Sequence, residues 1–188
     1  DNVQLQSKSG QPLARYFPDV VRALQELKAK SFVLDGELVI PVGGTLSFDE
    51  LQLRLHPAAS RVQKLAAAHP ALFVVFDLLA GTDGKSLLRE PLRERRPQLE
   101  NFARQFLPNE KQIRLSPATT KLAQAQQWFE KVGGDLDGLI AKRTDCSYAS
   151  GERTAMVKIK QIRTVDCVVG GFRYASGAPV IGSLLLGL

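Results

Sequence analysis

The stretch Leu72-Phe73-Val74-Val75-Phe76-Asp77-Leu78-Leu79 is apolar at every position but one. A run of that length reads as a buried strand, and a buried strand commits the chain to a sheet with packed cover. Alternate residues of a strand share a face. Phe73, Val75, Asp77 and Leu79 therefore stand on one side, and Val74, Phe76 and Leu78 on the other. A lone Phe in such a run is usually core. An aromatic at a strand end also holds a purine ring, at roughly 1–3 kcal/mol per stacked base. Periodicity does not separate the two readings.

Other elements follow from similar signals. Val3 and Leu5 alternate with Asn2, Gln4 and Gln6 as a half-buried strand, and Ser7-Lys8-Ser9-Gly10 turns. Pro18 sits at a first helical position, with Val20, Val21, Leu24 and Leu27 at helical spacing after it. A strand over 32–40 is broken by Pro41-Val42-Gly43-Gly44. Helices are predicted over 48–55, capped by Ser47, and over 61–68. A charged helix over 91–106 contains Pro97 as a candidate break. A short strand over 112–115 precedes an amphipathic helix over 122–132, stopped by Gly133-Gly134. Strands over 138–142, 156–160, 165–174 and 181–186 complete the pattern. The class is α+β with mainly antiparallel sheets. A boundary falls near 161–164, and too few residues follow it for an independent core.

The formal charge of +6 suits a polyanionic partner. Cys146 and Cys167 are the only cysteines, which excludes a disulfide framework or a zinc site and fits a reducing cytoplasm. His56 and His69 read as surface residues without chemistry. No apolar stretch spans a bilayer and no signal peptide opens the chain. The opening Asp1-Asn2-Val3-Gln4-Leu5 reads as a strand already under way, as in a chain cut from something longer.

Four short segments carry possible chemistry. In the 32–40 strand Val33, Asp35, Glu37 and Val39 share a face, so two carboxylates stand among apolar neighbours and need a cation, donors or a metal ion. A paired structural carboxylate or a solvated strand face is the alternative. Phe76 is the second segment's candidate. Asp135 and Asp137 enter the 138–142 strand, and Lys142 and Arg143 leave it. The acids suit Mg²⁺ through oxygen or serve as turn formers beside Gly138. In the 156–160 strand Lys158 and Lys160 share a face. A phosphate between them would relieve their repulsion, and an edge strand guarded by lysines is the alternative.

Taken in order, Asp35-Gly36-Glu37, Phe76-Asp77-Leu78-Leu79, Asp137-Gly138-Leu139-Ile140-Ala141-Lys142-Arg143 and Lys158-Ile159-Lys160 resemble the motifs of the covalent nucleotidyltransferases, an ATP-grasp-like fold. The connecting text narrows this. Ser7-Lys8-Ser9-Gly10 with Arg15-Tyr16-Phe17-Pro18, and Arg89-Glu90-Pro91-Leu92 with Arg95-Arg96, resemble bacterial ATP-dependent DNA ligases of the end-joining and repair type. The segment from Tyr148 through Gly151-Glu152-Arg153-Thr154 to Lys160 is similar to their small stand-alone members, often called ligase C. Asp166-Cys167-Val168-Val169-Gly170-Gly171-Phe172-Arg173-Tyr174 looks like the opening strand of an OB-fold. The resemblance implies an adenylylation domain over 1–162 and the beginning of an OB-fold over 163–188.

It also implies roles. Glu37 contacts nucleotide or supports metal, Phe76 stacks on adenine, and Asp137, where the family usually has glutamate, binds divalent metal. Lys158 and Lys160 hold the α-phosphate and Arg153 contacts phosphate. Lys8 stands where arginine is usual and touches the DNA backbone or the 5′-phosphate, without a bidentate option. The implied cofactors are ATP and Mg²⁺ or Mn²⁺. The implied partner is nicked or broken double-stranded DNA, for a cytoplasmic, nucleoid-associated monomer working with end-joining or repair proteins. In the family a lysine of a Lys-x-Asp-Gly motif takes AMP from ATP with release of pyrophosphate. AMP then passes to the 5′-phosphate of a nick, and the 3′-hydroxyl attacks that phosphate and expels AMP. This sequence has Asp-Gly at 35, 83 and 137, preceded two residues earlier by Val33, Gly81 and Asp135. The nucleophilic lysine is absent, and truncation at both ends is the expectation. An RNA ligase or capping-type enzyme, and a non-catalytic nucleotide- or DNA-binding remnant, are the alternatives.

Overall fold

The computed structural model describes residues 2–107, 112–131, 138–152, 154–160 and 164–187. Asp137 and Arg153, the Gly133-Gly134 stop and most of the expected 161–164 boundary lie outside the described residues.

The amino-terminal arm forms no strand. Leu5 is buried, but the only sheet-like pairing is an isolated bridge between Gln6 and Pro12. Its bonds run from the Ser7 N–H to the Gln11 carbonyl and from the Leu13 N–H to the Leu5 carbonyl, so Pro12, which lacks an N–H, takes no direct part in them. The Ser7–Gly10 turn forms as predicted, with Gly10 at φ 82°. Helix α1 (Pro18–Gln25) starts on Pro18 and buries Val20 and Leu24. Its Asp19 is buried too, accepting from Arg54 and from the Ala71 N–H.

Strand β1 (Val33–Val39) leads into a small hairpin of β2 (Pro41–Val42) and β3 (Thr45–Leu46). Gly43 and Gly44 make its turn, both with positive φ, the requirement of a two-residue turn matched to strand twist. Helix α2 (Phe48–Leu53) opens with the Ser47 hydroxyl accepting from the Glu50 N–H at 3.2 Å. Helix α3 (Ala59–Ala68) then returns the chain to β4 (Leu72–Ala80), the apolar run. Helix α4 (Leu92–Phe106) and β5 (Ile113–Leu115) follow. The central sheet has the order β1-β4-β5. β1 is antiparallel to β4, whereas β5 is parallel to it because α4 carries the chain back across. The mainly antiparallel expectation therefore has one exception.

Pro97 does not break α4. The helix runs through it because tertiary contacts on both sides hold the turns: Arg95 before it is buried in an ion pair, and Leu99 and Phe102 after it are core. That packing outweighs one lost backbone bond, a cost of about 3 kcal/mol in an isolated helix interior.

Helix α5 (Leu122–Lys131) precedes two separate antiparallel ribbons, β6 (Gly138–Lys142) with β7 (Met156–Lys160), and β8 (Val168–Tyr174) with β9 (Ile181–Gly187). The core lies where α1, β1, β4, α4 and β5 converge, around Phe17, Val20, Phe73, Val75, Leu99, Phe102 and Ile113. The fold is mixed α and β with small, mainly antiparallel sheets. No helix among the described residues is long and apolar enough to cross a membrane.

Candidate nucleotide cleft

The site begins with an irregularity between β1 and β4. Asp35 pairs with Asp77, but the next residue, Gly36, pairs with Val75. Phe76 is thus an extra residue on β4, the signature of a β-bulge. Its neighbours Val75 and Asp77 are buried while Phe76 itself is only half-buried. The close approach of the strands here requires glycine. A Cβ on Gly36 would lie 2.6 Å from the Val74 carbonyl oxygen and 2.7 Å from the Phe73 ring.

Two carboxylates face each other across this register. Asp77, 2% exposed, receives Arg95 in bidentate fashion, Nε to Oδ1 and Nη2 to Oδ2, both at 2.8 Å. Fork-to-fork geometry of this kind is what a buried carboxylate needs to offset desolvation. Asp35 Oδ2 accepts from the Tyr148 hydroxyl at 2.8 Å, and the Arg95 guanidinium lies 5.7 Å from the Tyr148 ring centroid. Burial first, and then the bond to Asp35, hold the Tyr148 phenol proton well above the usual tyrosine range. Glu37 is exposed and takes no part in this network. The expected pair of carboxylates on one β1 face thus divides into one held by a donor and one left to solvent.

The exposed side of Phe76 carries a cation. Lys142, the last residue of β6, sets its Nζ 4.2 Å from the Phe76 ring centroid. Attraction to the ring quadrupole contributes about 0.5–2 kcal/mol in such contacts. Burial pushes the Lys142 ammonium below the ordinary lysine value. Asp77 and Asp35 oppose that shift, and Arg95 and Arg96 add to it.

The β6–β7 register extends the basic surface. Lys142 pairs with Met156, Ile140 with Lys158, and Gly138 with Lys160. Directly opposed residues share a face, as do alternate residues along each strand. Lys142, Lys158 and Lys160 therefore stand on one face of the ribbon. Gly138 is held at φ 147°, and a Cβ there would collide with the Ile159 carbonyl, so only glycine lets the two strands approach this closely.

A cleft of about 2500 Å³ runs along these elements and is lined by Lys8, Glu37, Phe76, Arg95, Lys142 and Tyr148, among others. That exceeds the roughly 300–1,000 Å³ of a usual small-molecule pocket, leaving room beside a nucleotide. The structure brings Glu37, Phe76 and Lys8 to the cleft and sets Lys158 and Lys160, both exposed, on the ribbon face of Lys142. Sequence reasoning gave no role to Lys142, Arg95 or Tyr148, and gave Asp35 a need for a cation, donors or a metal without naming Tyr148 as the donor. A usable signal existed for one of them, since a lone acid in an apolar run, Asp77, needs a cation and Arg95 follows on the next helix.

The model of the ATP dependent DNA ligase domain matches residues 1–160. The chain is 49% identical to DNA ligase C2 of Mycolicibacterium smegmatis over 189 residues, 99% of this chain and 52% of that protein. It is 44% identical to DNA ligase C of Mycobacterium tuberculosis over 191 residues, 100% of this chain and 53% of that protein. It is 33% identical to the multifunctional non-homologous end joining protein LigD of Mycobacterium bovis, over 99% of this chain and 23% of that protein. The chain spans about half the length of the ligase C relatives. With a domain match over most of its length and close likeness from end to end, the chain belongs to the ATP-dependent DNA ligase family, among the bacterial ligases of the C type.

Proposed function

We propose that this chain supplies the nucleotide-binding part of an ATP-dependent DNA ligase that seals nicks or breaks in double-stranded DNA during repair. The observation that carries the reading is Phe76, a ring that a bulge turns from the core toward an open cleft, beside a basic ribbon. Adenine stacks on Phe76, and Lys158 and Lys160 take the α-phosphate. Lys142 leaves the ring face when adenine arrives and stays near enough to share in phosphate binding. Arg153 joins the phosphate contacts, and Lys8 meets the DNA backbone. Residues 1–162 act as the nucleotidyltransferase domain and residues 163–188 as the beginning of an OB-fold.

Among the described residues no group of three or more His, Cys, Asp or Glu is arranged to hold a metal. Mg²⁺ needs less, since one or two carboxylates with phosphate oxygens and water satisfy it. Glu37, exposed at the cleft, fits that donor set, and the family resemblance gives Asp137 as its partner. Bound there, Mg²⁺ would neutralise phosphate charge. The lysine pair aligns and neutralises the same group, the main requirement of phosphoryl transfer. No Lys-x-Asp-Gly occurs in the 188 residues, so this chain binds ATP reversibly and takes no covalent AMP. The names of the relatives support DNA rather than RNA as substrate.

Titration calorimetry with ATP and Mg²⁺ tests the site. Phe76→Ala is expected to weaken ATP by roughly 5- to 150-fold, the range of a lost base stack. Lys158→Ala with Lys160→Ala weakens ATP and leaves adenosine unaffected. Wild-type affinity in Phe76→Ala returns that ring to a packing role.

A further inference from the structure

We propose that Tyr148 is a positioning residue for nucleotide binding, holding the segment that carries Lys142 beside Phe76 so that the ammonium stays within reach of phosphate once adenine takes the ring. This rests on the reading of Phe76 as the adenine platform.

Lys142 ends β6, and the next segment, 143–148, is a strap with no regular structure of its own. Its backbone is tied down at intervals. The Thr144 carbonyl accepts from the Arg93 N–H at 2.8 Å and the Cys146 carbonyl from the Leu92 N–H at 2.9 Å. These are orphan donors of the first turn of α4, whose N-cap, Pro91, offers no side-chain acceptor. Arg95 Nη1 reaches the same Cys146 carbonyl at 3.4 Å. At the far end the Tyr148 N–H donates to the Leu88 carbonyl at 3.0 Å.

All of these bonds fix the strap to α4 and the loop before it. None fixes it to β1, the strand beside the Phe76 strand. Among the described residues the Tyr148 hydroxyl makes the side-chain bond that does so, reaching Asp35, 113 residues earlier in the chain. Its acceptor is a carboxylate, so the bond is charge-assisted and stronger than a neutral one. Arg95 braces the same ring from the side while it holds Asp77. Tyr148 thus sets the spacing between the β6–β7 ribbon and the β1–β4 pair, and Lys142 lies within that spacing.

A role in stability alone would lower the melting temperature and weaken ATP by the same factor in every background. Positioning of Lys142 predicts coupling instead. Calorimetric ATP titration with Mg²⁺ should be run on the wild-type chain, Tyr148→Phe, Lys142→Met, the double variant and Phe76→Ala. Tyr148→Phe is expected to raise the ATP dissociation constant about tenfold, the scale of one hydrogen bond to a charged acceptor. In the Lys142→Met background it should change nothing further. Asp35→Ala removes the bond from its other end and must show the same coupling, which covers the case of a poorly folding Tyr148 variant. Unchanged affinity in Tyr148→Phe and Asp35→Ala, or a full tenfold loss on top of Lys142→Met, overturns the proposal. If Phe76→Ala weakens ATP while Tyr148→Phe does not, the positioning role fails and the platform stands. If Phe76→Ala binds as wild type, the platform itself fails and the positioning role falls with it.

Discussion

Replacing Arg95 by Met keeps most of the side chain's length and removes its charge and donors. Arg95 is 3% exposed and serves four acceptors: both oxygens of Asp77 and the carbonyls of Glu90 and Cys146. In the variant Asp77 stays buried and, among the described residues, keeps the Leu78 N–H as its donor, at 3.0 Å. Removing one partner of a buried pair costs about 3–5 kcal/mol because the remaining charge is uncompensated. A domain has about 5–15 kcal/mol in all. At about 2–4 °C per kcal/mol for a chain of this size, the melting temperature should fall by roughly 6–20 °C.

Arg93→Met is the control. Its pair with Glu94 is 3.7 Å long with side chains 60% and 59% exposed, and such pairs contribute less than about 1 kcal/mol. Urea unfolding followed by circular dichroism gives both values, provided the slope m is unchanged. The double variant Asp77→Leu with Arg95→Met should recover much of the loss, since an apolar pair carries no desolvation cost. Recovery stays incomplete because the Glu90 carbonyl has lost its Arg95 donor. If Arg95→Met costs no more than Arg93→Met, the ion pair does not hold α4 to β4 and the reasoning fails.

Gly36→Ala should cost about 1–3 kcal/mol by overpacking, because the new methyl meets a carbonyl oxygen and the Phe73 ring inside van der Waals contact; a urea midpoint equal to wild type would contradict the close approach of β1 and β4. Lys142 has a folded-state value below 10.5, its ordinary value, so between the two the unfolded chain binds the extra proton and stability rises with pH. Wild type should therefore gain stability relative to Lys142→Met as the pH climbs from neutral toward 10.5, and a flat difference would refute the depressed value.

Local pattern made nearly every element legible in the sequence. Pro18 starts α1 and Ser47 caps α2 because both depend on a few adjacent residues. Partners far apart in sequence were not legible. Asp77 needs a cation on any reading, but only the packing of α4 on β4 supplies Arg95, 18 residues on. Asp35 and Glu37 share a strand face by count, yet one meets a tyrosine 113 residues away and the other meets solvent. The same limit explains Pro97, a breaker by propensity that packing retains within α4.

Phe76 shows where counting fails for a physical reason. Strict alternation puts Phe76 and Leu78 on one face, but Leu78 is 3% exposed and in the core while Phe76 is half-buried at the cleft. The register slips twice along β4, past Phe76 beside Asp35 and past Leu79 beside Val33, and between these two points alternation breaks, with Asp77 and Leu78 both buried. A bulge inserts a residue that has no opposite number. An unbroken strand could turn Phe76 outward only by alternation, and would then turn Leu78 outward with it. The ring that faces the cleft and the leucine that fills the core two residues later are compatible only because the strand is irregular there.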